Sequence, residues 1–168
     1  MHTQIKYNSF KKSNKGEYVQ FEVNLIKEKI DTAIRTLLKN DLFLLRNNSD
    51  EWSISHKFAE YLQQRFSDWH VDVEYNRDKD RIKELNEKDV RPDIIVHIRD
   101  TDNNLLVIET KKSNNLKKIN EDRKRLSKFT SLKGKYRYKL GALVIFYVAE
   151  DCRKLPSVEL FQNCEQLR

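Results

Sequence analysis

Glycine, proline and cysteine are scarce in this chain of 168 residues, which holds three Gly, two Pro and two Cys. With so few residues suited to sharp reversals, long elements joined by few tight turns are expected. Cys152 and Cys164 form no CxxC and have no histidine beside them, so their spacing excludes a zinc site. With no secretory leader in view, free thiols in a reducing, cytoplasmic compartment are the expectation. No apolar run approaches the roughly 18–20 residues that span a bilayer, so no membrane partner is expected. A Gly-rich phosphate cradle, internal repeats, low-complexity tracts and an interdomain linker are missing too.

Charge is abundant. Charged residues make up 35% of the chain against 38% apolar and 10% aromatic, and the mean hydropathy is −0.81. This composition and length fit one globular domain over residues 1–168, with a thin core and a heavily charged surface. The net charge is +7 with a pI near 9.3. It is unevenly spread: residues 111–139 hold twelve Lys and Arg against only Glu121 and Asp122, so the rest of the chain is net negative. A solvated basic surface would explain the total, whereas concentration in one stretch is what a polyanion-binding footprint requires.

Residues 1–18, with their KKSNKGE run, are expected to be flexible. From Val19 the spacing of Val19, Val23, Ile26, Ile30, Ala33 and Leu37 predicts a helix, which the segment 41–48 leaves. A second helix is predicted over about 50–66, with Ile54, Phe58, Tyr61 or Leu62, and Phe66 on its buried side. Asp50 and Glu51 occupy its first turn, where carboxylates suit the positive helix end. Val71, Val73 and Tyr75 alternate with polar residues and predict a strand. The charged run 77–90 reads as an exposed connection with a helical turn at Ile82 and Leu85. Strands over 94–98 and 105–111, joined by RDTDNN, predict an antiparallel hairpin. A helix over about 116–130 and an apolar strand over about 140–148 follow, the latter buried on both faces and so central or parallel. The tail from Glu150 has no decisive pattern. The fold class is α/β, a mixed central sheet flanked by helices, with its core over about 50–148.

Three residues stand out on the hairpin. Asp93 follows Pro92 at the start of one strand, and Glu109 and Lys111 lie two apart near the end of the next, on one face with Val107. If hairpin partners sum to about 202–204, an even sum brings Asp93 beside Glu109 or Lys111, and an odd sum turns it to the wrong face. Two neighbouring carboxylates are unfavourable without a cation. A hard ion such as Mg²⁺, with Mn²⁺ as the alternative, relieves this and takes its remaining ligands from phosphate and water. The ion would activate water and stabilise a phosphoryl oxygen, while a neighbouring Lys orients or deprotonates the water or steadies the developing charge. An E-x-K on a strand is ordinarily a solvated face and Pro-Asp ordinarily a turn. Their occurrence on consecutive strands, between an acid-capped helix and a basic one, is more specific.

RPDII (residues 91–95) and VIETKK (107–112), with the order helix, three strands, helix, strand over about 51–148, resemble the PD-(D/E)XK or restriction-endonuclease-like nucleases. The likeness is greatest to the small bacterial and archaeal members, including the Holliday-junction resolvase type. The resemblance implies an αβββαβ core with an extra N-terminal helix. It implies a metal-dependent nuclease, an endonuclease rather than an exonuclease, in which Asp93 and Glu109 hold Mg²⁺ and Lys111 serves the water nucleophile. DNA is favoured over RNA by this resemblance alone. Glu51 matches an acid that many members carry on the first core helix; Glu74 and Glu60 are weaker candidates for that supporting role.

Lys112, Lys117, Lys118, Arg123, Lys124, Arg125 and Lys128 are the expected phosphate contacts. Tyr136 and Tyr138, between basic residues, suit stacking on bases. His97 shares the parity of Asp93 and reads more simply as a satisfied sheet residue. Cutting two strands commonly needs two sites, so a homodimer is one possible state. A nuclease fold that binds nucleic acid or a protein without cutting is the alternative function. An unrelated α/β domain would set Asp93 and Lys111 on opposite faces.

Overall fold

The apolar stripe Val23, Ile26, Ile30, Ala33, Ile34 and Leu37 is buried along one side of α1 (Lys15–Asn40). A computed structural model describes residues 15–75, 77–78, 81–82, 84–85 and 88–167. The expectation of flexibility over 1–18 thus falls largely outside the described residues, and α1 begins within that span, ahead of the predicted start. Asp41 interrupts the helix for one residue before the short α2 (Leu42–Arg46), where the sequence pattern had pointed to irregular chain. Asp50 then caps α3 (Glu51–Arg65), accepting from the Ser53 backbone N–H at 2.7 Å. Ile54, Phe58, Ala59 and Leu62 form its buried side, packed with the α1 stripe. Ile54, Phe58 and Leu62, each taken fully from water, contribute roughly 1.5–3 kcal/mol apiece.

The protein is α/β with a six-stranded mixed open sheet. Its strands, in spatial order, are β1 (His70–Val73), β6 (Ile94–His97), β7 (Asn104–Lys112), β8 (Leu140–Phe146), β9 (Ser157–Gln162) and β10 (Glu165–Gln166). β7 and β8 are parallel, and every other neighbouring pair is antiparallel. The crossover between the parallel pair carries α4 (Ile119–Phe129). Strict alternation sends Ile94, Val96, Leu106, Ile108, Ala142 and Val144 toward α1 and α3. Ile95, Val107 and Leu143 face the other way, onto Leu126 and Phe129 of α4. Because helices cover both faces, β6, β7 and β8 read as continuous apolar runs.

Four two-residue strands replace the predicted helical turn at Ile82 and Leu85: β2 (Arg77–Asp78) pairs with β3 (Arg81–Ile82), and β4 (Glu84–Leu85) with β5 (Lys88–Asp89). Two apolar residues in so charged a run are too few to bury a helical face, and Leu85 is instead half-buried against the α4-side cluster. α4 starts later than the predicted residue 116, because residues before it turn and Lys118 is left-handed at φ 62°. The undecided tail supplies a short 3₁₀ turn (Ala149–Asp151) and then β9 and β10, which extend the sheet.

Candidate active site

The hairpin of β6 and β7 brings the first carboxylates together. Ile94 pairs with Ile108 and Ile95 with Val107, so partner numbers sum to 202, and the ladder's continuation sets Asp93 opposite Glu109. This is one of the even registers expected from the loop length. A bulge between Val96 and His97 absorbs the irregularity at the far end and leaves this end in register.

Asp93 is fixed from below the sheet. Its Oδ2 accepts from the Thr110 backbone N–H at 2.7 Å and from the Thr110 hydroxyl at 2.9 Å. That hydroxyl lies 2.6 Å from Ser55 Oγ on α3, and both groups are buried. Burial pushes the Asp93 pKa upward; the Thr110 bonds oppose this without cancelling it. Glu109 points to the α4 side and is 1% exposed. Its Oε1 accepts from Arg125 Nε at 3.1 Å, while Oε2 is buried with no hydrogen-bond partner among the described residues. Burial, followed by the charge of Asp93, raises its pKa to about 8 despite Arg125.

Lys111 emerges where β7 ends, at the rim of the sheet, and there reaches both helical layers. Its ammonium donates to Glu51 Oε1 of α3 at 3.0 Å and lies 3.5 Å from Asp122 Oδ2 of α4. Burial works against its charge, but Glu51 and Asp122 outweigh that and hold its pKa above the ordinary lysine value. Glu51 also accepts from the Lys112 backbone N–H at 3.3 Å. Glu51, Trp52, Ser55, Val73, Glu74 and Asp93 line a cleft of about 210 Å³ against this rim.

Asp93, Glu109, Lys111 and Glu51 are therefore neighbours across two strands and a helix. Glu74 lines the same cleft, held by Arg91 at 3.4 Å, and its backbone N–H donates to the Asp93 carbonyl at 2.9 Å. Glu60 is outside this cleft lining, bonded to Lys57 at 2.7 Å. His97 is buried and bonded to Asp72 at 2.8 Å, a satisfied sheet residue.

The expected phosphate contacts divide into two groups. Lys117, Lys118, Lys124 and Lys128 are exposed, with no ion pair among the described residues. Lys112 donates to Ser49 O at 2.9 Å and Asn48 Oδ1 at 3.0 Å, bracing the turn before α3. Arg123 is bidentate on Glu159 of β9, at 2.6 and 2.8 Å. Arg125 turns into the site, bonding Glu109 and Asp122. Tyr136 and Tyr138, expected to be open for base stacking, are 3% and 1% exposed and pack on Phe129. The alternation of that segment buries its aromatic residues and leaves its basic ones outside.

Asp122 escaped the sequence reading. It occupies the buried stripe of α4 between Ile119 and Leu126, a position where helical periodicity calls for an apolar residue. A charge at such a position is the signal that could have found it. Thr110 and Ser55 carry no comparable signal, since both are small polar residues whose partners come from distant elements.

The donor set fits a hard cation: carboxylate oxygens, one of them buried without a hydrogen bond. Among the described residues, no group of three or more His, Cys, Asp or Glu gathers closely enough to hold a metal alone. A cation here would draw its remaining ligands from substrate and water, as Mg²⁺ commonly does. No family model matches the chain, and neither a curated protein nor a solved structure does so. Among the described residues no helix is long and apolar enough to cross a membrane.

Proposed function

We propose that this protein is a Mg²⁺-dependent nuclease of the PD-(D/E)XK kind, acting on DNA in preference to RNA. The observation that carries this reading is the meeting of Asp93, Glu109 and Lys111 at one sheet rim, with Glu51 bonded to the lysine. The order α3, three antiparallel strands, α4 and a parallel strand supports it as the arrangement the resemblance implies.

In this reading Asp93 and Glu109 hold the cation, with Glu109 Oε2 the oxygen awaiting a partner. A bound divalent ion supplies Lewis-acid stabilisation of the phosphoryl oxygen and a more acidic water. Thr110 fixes the Asp93 carboxylate, so the donor geometry is set before substrate arrives. Because Glu51 and Asp122 keep Lys111 protonated, it orients the attacking water and steadies charge on the phosphorus oxygens instead of taking a proton. Arg125 donates to Glu109 and favours its ionised form, the form that would hold the cation.

The test is cleavage of labelled single-stranded, duplex and branched DNA, with a matching RNA lane, by wild type and Glu109→Ala. Cutting that requires Mg²⁺ and falls by at least about a hundredfold in the variant is expected. One observation favours a second reading, a nuclease fold that binds nucleic acid without cutting: Lys111 and Arg125 already pair with Glu51, Glu109 and Asp122, occupying the acids a cation would need. No cutting, with salt-sensitive DNA binding, would establish that reading; neither cutting nor binding would remove nucleic acid from the account.

A further inference from the structure

We propose that Trp52 is a stacking platform for one unpaired nucleobase beside the scissile phosphate, so that the substrate carries an unpaired or extruded base at the point of cleavage. This rests on the nuclease reading and narrows its substrate class.

Trp52 sits in the first turn of α3, next to Glu51, and is 55% exposed. Among the described residues Phe43 is the other exposed Phe, Tyr or Trp, and it takes no part in the cleft lining. Trp52 does, together with Asp93 and Glu51. Its orientation is set by its own helix. His56, one turn on, stacks against it with ring centroids 5.2 Å apart and planes 17° from parallel. Glu60, a further turn on, lies 3.5 Å from His56. The three follow the i, i+4 row of the helix surface. An indole steadied in this way offers a flat apolar area at small entropic cost to a ligand.

The cleft's remaining chemistry selects what could lie on that surface. Its ionisable lining is entirely acidic: Glu51, Glu74 and Asp93. A phosphate is held at the Asp93 end of the cleft, on the side of the cation and Lys111, and not against Glu74 and Trp52. A neutral planar ring with amino donors is not repelled, and carboxylates accept hydrogen bonds from such donors. At about 210 Å³ the cleft is smaller than the roughly 300–1,000 Å³ typical for larger organic ligands, which suits a single ring system. Within a duplex each base is already stacked on both faces, so a base reaches Trp52 only when unpaired or flipped out.

The chain has two tryptophans, Trp52 and Trp69, so Trp69→Phe leaves Trp52 as the sole indole reporter. That variant is titrated, with Ca²⁺ as the cation, with a single-stranded 12-mer (a length of roughly one binding site) and with the blunt duplex of the same sequence. The single strand should quench the fluorescence and the duplex should not. Trp52→Ala should bind the single strand about tenfold more weakly and the duplex unchanged. Subtracting the Trp52→Phe signal from wild type gives the same comparison should Trp69→Phe fold poorly. Equal quenching by both DNAs, or equal loss of affinity for both, overturns the inference while leaving Glu109-dependent cutting intact. Quenching that grows with protein concentration in the absence of DNA also overturns it, assigning Trp52 to a contact between copies. Binding of neither DNA overturns it together with the nuclease reading.

Discussion

A carboxylate that is 1% exposed, with one oxygen lacking any hydrogen bond, is costly to ionise. Glu109 bears that cost, and its pKa moves from 4.5 to about 8 because the folded state disfavours the anion. The folded protein then binds more protons than the unfolded chain across that window. Glu109's contribution is most favourable below pH 4.5, is lost progressively as pH rises toward 8, and becomes a constant penalty above it. Glu109→Gln should therefore be more stable than wild type at pH 9, by up to about 5 kcal/mol, and nearly equal to it at pH 4. Thermal unfolding at the two pH values measures this. Adding Mg²⁺ at pH 8 should raise the wild-type Tm and leave that of the variant unmoved, since ligand stabilises only the form that binds it.

α4 stands close to β8 because Gly141 has no side chain. A Cβ there would meet Thr130 Cγ2 at 3.2 Å, and Leu126 Cδ2 and Phe161 Cβ each at 3.4 Å. The helix thereby lies near enough for Asp122 to approach Lys111 and for Arg125 to reach Glu109. Gly141→Ala should cost about 1–3 kcal/mol by overpacking, read from urea unfolding. Adding Thr130→Ser, which removes the nearest methyl and keeps the hydroxyl, should recover part of the loss. If the double variant is no better than the single one, close packing against Thr130 is not the reason for the glycine.

Across the whole molecule the cations behind the +7 charge divide into exposed and paired ones. Lys117, Lys118, Lys124 and Lys128 are exposed, whereas Arg123 and Arg125 are spent on Glu159, Glu109 and Asp122. Replacing those four lysines by Ala should flatten the dependence of log affinity on log salt by about 0.7–0.9 for each phosphate no longer neutralised. Arg123→Ala should leave the slope unchanged and lower stability instead, by about 1 kcal/mol for a half-buried pair. Filter binding over a salt series, with parallel melting curves, separates the two outcomes.

The sequence by itself determined the α/β class, the hairpin and the shared face of Glu109 and Lys111, because side-chain period is a local property; it left the register of Asp93 open, and the bulge between Val96 and His97 decided it. It also marked Glu51 as a first-turn acid of α3. Only the tertiary structure decided that Lys111 bridges Glu51 and Asp122, that Thr110 and Ser55 fix Asp93, and that Arg125 faces inward while Lys124 and Lys128 face solvent. It also buried Tyr136 and Tyr138 and left Trp52 open at the cleft. These outcomes depend on which helix lands on which sheet face and how closely, a matter of packing between residues tens of positions apart that no local period encodes.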